Sequence, residues 1–129
     1  MPYFAATLTE ESHKKILQQF RDHIDSRSKK LAHHVTIIPP PEFRKNDPLL
    51  RFEGKKVQFK VDAIGTWRSG VLALRVHPKD FLAQIRKNGI AHLTLAINSG
   101  YSPKDSNNIT NWKLLNVPIL LDAVFTIEQ

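Results

Sequence analysis

Two short stretches of the chain carry one pattern, His34-Val35-Thr36-Ile37 and His92-Leu93-Thr94-Leu95. Both lie among apolar and β-branched residues, the composition of a strand. Strand side chains alternate faces, so residues i and i+2 point the same way. Each stretch therefore shows an imidazole and a hydroxyl on one face. Val35 and Ile37, or Leu93 and Leu95, turn to a core on the other. Two such strands brought together line one groove with two histidines and two threonines, a lining suited to phosphate chemistry.

A second echo runs in step with the first. Val57-x4-Asp62-Ala63-x2-Thr66 matches Val117-x4-Asp122-Ala123-x2-Thr126 at an offset of 60, close to the 58 between His34 and His92. Similar offsets point to duplication within one domain, residues 1–129, with approximate lobes 1–67 and 68–129. Each half then reads as strand, helix, His-x-Thr strand, loop, strand. Packed about a pseudo-two-fold axis, equivalent residues of such β-α-β-β units face one another.

Local signals place the elements. Tyr3 to Leu8 reads as a strand, and Thr9 as the cap of a helix with Glu10 and Glu11 in its first turn. Ile16, Leu17, Phe20 and Ile24 give that helix one apolar stripe. His13 and His23 read as solvated or packed. A polar connector from Ser26 to Lys30 leads to a strand from His33 to Ile38, stopped by Pro39-Pro40-Pro41. Strict alternation turns His33 away from His34. A polar loop, Glu42 to Lys56, precedes the strand Val57 to Trp67, where Gly65 suggests a bulge. Arg68-Ser69-Gly70 turns the chain into a strand from Val71 to Val76. His77-Pro78-Lys79-Asp80 reads as the start of a second helix, with Phe81, Leu82 and Ile85 on its buried face and Asn88-Gly89 as its stop. The strand Ala91 to Asn98 follows, then a loop from Ser99 to Asn108 and a short segment carrying Trp112. A last strand runs from Val117 to Ile127, with Pro118 marking an edge or bulge.

Composition narrows the classes. There is no cysteine, which excludes disulfides, thiol catalysis and thiolate zinc sites. No apolar run approaches the length of a membrane span, and the first eight residues lack the charge and length of a signal peptide, so a soluble cytoplasmic protein is expected. The formal net charge of +7 favours a polyanionic partner.

Histidine is the side chain whose ordinary titration lies nearest neutrality, so one of a pair can accept a proton while the other donates one. Phosphodiester cleavage needs both acts, and hydroxyls or cations steady the charge on the non-bridging oxygens. Two histidines without a carboxylate at ligand spacing make a poor metal site. Neither metal nor cofactor is expected.

The duplicated motif resembles that of the two-histidine (2H) phosphoesterases, also called LigT-like, whose signature is His-hydrophobic-Thr/Ser-hydrophobic in two copies. The resemblance implies an α+β fold in which two pseudo-symmetric β-α-β-β lobes form a concave antiparallel sheet with helices outside. It implies a metal-independent phosphodiesterase acting on 2′,3′-cyclic phosphates of RNA ends or nucleotides, on 2′,5′-oligoadenylate, or on cyclic oligonucleotides. His34 and His92 would be acid and base in an order the sequence leaves open, and Thr36 and Thr94 would hold the phosphate. Tyr101 and Trp67 are candidates to stack on a base, and Lys104 and Arg68 to meet phosphate. The partner would be a nucleotide, a cyclic oligonucleotide or an RNA terminus, the protein a monomer away from membranes. The competing reading is a nucleotide- or RNA-binding module with the same groove and no turnover.

Overall fold

A computed structural model describes residues 1–79 and 90–129. Its elements in order are β1 (Tyr3–Leu8), α1 (Glu10–Gln19), β2 (Lys29–Lys30), β3 (His34–Ile38), β4 (Lys56–Trp67), β5 (Val71–Pro78), β6 (His92–Ile97) and β7 (Lys113–Glu128). Short 3-10 turns fill Arg21–His23, Pro40–Glu42, Pro48–Phe52 and Pro103–Asn108.

All the ladders are antiparallel, and they close on themselves. The order β6-β3-β1-β7-β4-β5 returns to β6, giving a six-stranded barrel, with the two-residue β2 also paired to β6. Exchanging β1, β3 and β4 with β5, β6 and β7 leaves this ring order unchanged.

The expected concave sheet of two lobes with helices outside is therefore corrected: the chain is a mostly-β closed barrel with one short helix among the described residues. Hairpin β4–β5 runs on from Phe59–Pro78 to Trp67–Val71, and β5 then pairs β6 along Val71–Arg75. The β4–β5 hairpin joins the two sequence halves, and the β5–β6 ladder closes the ring. Strand patterning fixes which face is apolar but not which edge meets which, so the closure lay beyond it.

The alternation explains what fills the barrel. Phe4, Val35, Phe59, Leu74, Leu93 and Leu121, one from each barrel strand, are all fully buried in a single apolar cluster. Helix α1 begins as its sequence dictates, Thr9 Oγ1 accepting from Ser12 N at 3.2 Å. Ile16 and Phe20 join the same core, and Ser12 Oγ accepts from Asp122 N at 2.8 Å to dock the helix on β7.

Two local expectations change. The irregularity in β4 falls at Asp62, between Val61 and Ala63, and not at Gly65. Opposite it, Val61 pairs Ile119 and Ala63 pairs Leu114, so Pro118 sits in the looped-out stretch of β7, where its missing N–H costs no ladder bond. Gly65 instead gives room: a side chain there would meet Ile109 and the Trp112 ring. His77 and Pro78 lie within β5 rather than opening a helix, because Lys60 and Phe59 supply strand partners. The remainder of the expected second helix, from Asp80 to Gly89, lies outside the described residues. Among the described residues no helix is long and apolar enough to cross a membrane.

Candidate functional site

Strands β3 and β6 are neighbours, and Val35 is paired with Leu93. Both side chains point into the barrel and are fully buried. Carrying the antiparallel register one residue each way sets His34 opposite Thr94 and Thr36 opposite His92. Directly opposite residues share a face, so all four stand on the outside of the barrel, and a local two-fold through the Val35–Leu93 pair relates the two motifs.

The four line one pocket of about 340 Å³. Tyr3, Leu31 and His33 form part of its wall, Pro39 and Pro40 another part, and Pro103, Lys104 and Asn107 the rest. His33 thus reaches the rim that strict alternation denied it. The reason is Ala32, whose φ of 64° breaks the extended chain just before β3. The His33 ring stacks on His13 with centroids 4.5 Å apart, and His13 Nδ1 donates to Ala32 O at 2.9 Å. Burial and then the neighbouring His13 and His34 push the His33 imidazole below its ordinary value.

The two motif histidines are held by different groups. His34 Nε2 donates to Glu128 Oε1 at 2.9 Å, across the intervening strand β1. The same oxygen takes Thr7 Oγ1 at 3.1 Å and Thr126 Oγ1 at 3.2 Å. Burial pushes the Glu128 carboxyl up, but the bonds from Thr7, His34 and Thr126 outweigh it and hold the group below the usual carboxylate range. Burial, reinforced by Glu128, raises the Tyr3 phenol, whose ring meets His34 edge-on at 6.3 Å. His92 Nδ1 donates to the Ile90 carbonyl at 3.1 Å. A carbonyl only accepts, so the lone pair of the neutral His92 ring is on Nε2.

The hydroxyls differ as well. Thr94 is 9% exposed and its Oγ1 lies 2.9 Å from Ser106 Oγ and 3.4 Å from Pro103 O. With Ser106 donating, Thr94 still has its own hydrogen, which a phosphate oxygen would draw from the long bond to Pro103 at small cost. Thr36 Oγ1 has no hydrogen-bond partner among the described residues. Beside the quartet, Arg75 pairs with His92 on the β5–β6 ladder. Its guanidinium grips Asp62 with two bonds of 2.9 and 3.1 Å, and His77 Nε2 adds a third at 2.9 Å. Burial raises the Asp62 carboxyl, yet Arg75 and His77 together bring it below its ordinary value.

Of the four further candidates, only Lys104 lines the pocket. Trp67 and Tyr101 pack edge-to-face at 6.0 Å in a satellite cluster with Val71, Ala73 and Ile109. Arg68 lies over the Trp67 ring at 4.5 Å and lines a second, smaller hollow. Sequence reasoning missed Glu128, Thr7, Tyr3, Ser106 and Arg75. Only Glu128 had a signal, a carboxylate at the end of an alternating strand, and that signal names no partner. Among the described residues no group of three or more histidine and acidic side chains is arranged to hold a metal ion. No protein-family model matches the chain, and no curated protein matches it.

Proposed function

We propose that the protein is a metal-independent phosphodiesterase that opens or cleaves a cyclic or ribose-linked phosphodiester, using His34 and His92 as a general acid–base pair. The observation that carries this reading is the quartet itself: two histidines and two threonines alternating across one antiparallel strand pair, at the wall of one pocket. The motif resemblance to 2H phosphoesterases points the same way. That family's concave two-lobed sheet is not the fold here, so the argument stands on the four side chains.

The chemistry follows from their placement. One imidazole takes the proton of the attacking water or ribose hydroxyl, and the other protonates the departing oxygen. Thr36 and Thr94 donate to the non-bridging oxygens as charge builds there. Lys104 at the rim and the net charge of +7 favour an anionic substrate. A nucleotide, a cyclic oligonucleotide or an RNA terminus has the phosphate this pocket would grip.

The test is a substrate panel with EDTA present: nucleoside 2′,3′-cyclic phosphates, RNA ending in a cyclic phosphate, 2′,5′-linked oligoadenylate and cyclic dinucleotides. Turnover of one class, lost in His34→Ala and in His92→Ala with the fold kept, supports the reading. Saturable binding with every ligand recovered intact overturns it in favour of a binding module.

A further inference from the structure

We infer that the substrate is the end of a single-stranded RNA, and that the strand leaves the quartet along β2, over Lys30 and Lys29, to a second anchoring point at Arg68. The inference rests on the phosphodiesterase reading above and narrows its substrate class.

Two hollows open side by side along β6. Thr94 lines the first and Ala96 the second, two residues and about 7 Å apart on the strand. The segment ahead of β3 joins them. Ser28 lines the second hollow and Leu31 the first, and Lys29 and Lys30 stand between the two. That segment is laid along β6 residue by residue. Lys29 pairs with Ile97 and Lys30 with Ala96, Leu31 N donates to Leu95 O at 2.7 Å, and Ala32 N donates to Thr94 O at 2.8 Å. A chain that starts in the first hollow therefore meets both lysines on its way to the second.

Hydrogen bonds from Asn98 give the second hollow its shape. Asn98 N donates to Gly70 O at 2.8 Å, Nδ2 donates to Ser69 O at 2.8 Å, and Oδ1 accepts from Ser28 Oγ. These bonds pin the β4–β5 turn to the end of β6. Arg68 sits on that turn with φ of 52°, and its guanidinium is restrained over the Trp67 ring at 4.5 Å. At about 150 Å³ the hollow is smaller than a pocket that buries a whole small molecule, so it suits one unit of a longer chain.

Charge selects the kind of chain. Lys29, Lys30 and Arg68 are exposed, and none forms an ion pair among the described residues. The same holds for Lys104 in the wall of the first hollow. Asp25, an acid lining the second hollow, accepts from Arg27 N at 2.9 Å within its own turn. A row of cations without acid partners fits a phosphate backbone, and an unpaired strand lies in such a groove without being read base by base. The ribose required at the cleaved linkage makes that strand RNA.

The experiment measures Kd for RNA oligomers of one to six nucleotides ending in a 3′-phosphate, which needs no turnover. Competition against a labelled hexamer, followed by fluorescence anisotropy, gives each value. Affinity is expected to rise about tenfold from one nucleotide to four and then level, at the short end of single-strand sites. Lys29→Ala/Lys30→Ala should cut that gain to about twofold and lower the slope of log Kd against log salt by about 0.7 per lysine. Arg68→Ala should remove the last step of the gain. Lys55→Ala/Lys56→Ala takes the same charge from the start of β4, which does not pair with β6, and should keep the gain whole. Circular dichroism confirms that each variant is folded, and the wild-type length series stands without them. Values of Kd that ignore length, or a gain cut equally by Lys55→Ala/Lys56→Ala, overturn the track. In a second arm, kcat/KM should favour a tetramer ending in a 2′,3′-cyclic phosphate over the nucleoside 2′,3′-cyclic phosphate, and the lysine variant should lose that preference. Equal kcat/KM for the two overturns the inference. Absence of turnover on both strikes the phosphodiesterase reading instead, while the length series still decides whether a strand is held along β2.

Discussion

Thr94 ties the candidate site to the turn that walls it, and a double-mutant cycle measures that tie. Its hydroxyl sits 2.9 Å from Ser106, whose residue is 2% exposed. Thr94→Val keeps the shape and strips the hydroxyl, leaving Ser106 Oγ buried with no partner among the described residues. An orphaned buried hydroxyl costs about 1–3 kcal/mol. Ser106→Ala is milder, because Thr94 can still donate to Pro103 O; a lost net hydrogen bond costs about 0.5–1.5 kcal/mol. With both changes no hydroxyl is orphaned, so the double variant should be no less stable than Thr94→Val alone. The coupling is then about 1 kcal/mol. Urea unfolding followed by circular dichroism gives all four stabilities, provided the slope with denaturant is unchanged. Losses that add within about 0.3–0.5 kcal/mol would refute the argument. The result matters for the pocket, since the same turn presents Lys104 and Asn107 to it.

Asp62 and Glu128 are both held below the usual carboxylate range in the folded protein. Each therefore contributes stability that is full above its unfolded value of about 4 and is lost as pH falls through the folded one. Urea midpoints should drop as pH falls from about 5 through the lowered folded values, and less steeply in Asp62→Asn. Gly65→Ala would put its Cβ 2.5 Å from Ile109 and 2.8 Å from the Trp112 ring, and should destabilise by about 1–3 kcal/mol, read from the same unfolding curves. Lys104→Ala should raise KM severalfold, leave kcat nearly unchanged and weaken the dependence of KM on salt; steady-state kinetics at two ionic strengths will show it.

What could be read from the sequence was what local alternation encodes. The pairing of His with Thr on one face, the burial of Val35 and Leu93, and the Thr9 cap each depend on residues a few positions apart. Barrel closure depends on which distant edges meet, and nothing in β5 or β6 alone states that they pair. The same limit hid Glu128, whose partner on β3 is reached only after β1 has been laid between them. His33 was misplaced by one left-handed residue, since Ala32 gives no warning that a glycine or asparagine would have given. Tyr101 in its polar loop and Trp67 at the end of β4 read as candidates to stack on a base because an aromatic side chain at either place serves packing or stacking. Packing against Val71 and Ala73 is what assigns them to the fold.

The most direct test of the account compares kcat/KM for wild type, His34→Ala, His92→Ala and the double variant, on whichever ribose-linked phosphodiester the panel identifies and with EDTA present. If the two imidazoles serve one phosphodiester across the Val35–Leu93 pair, each single change should cost about 10²- to 10⁴-fold. The double variant should then lose far less than the product of the two. A single variant that keeps the wild-type rate, or losses that multiply, would contradict the claim that these histidines form one acid–base pair.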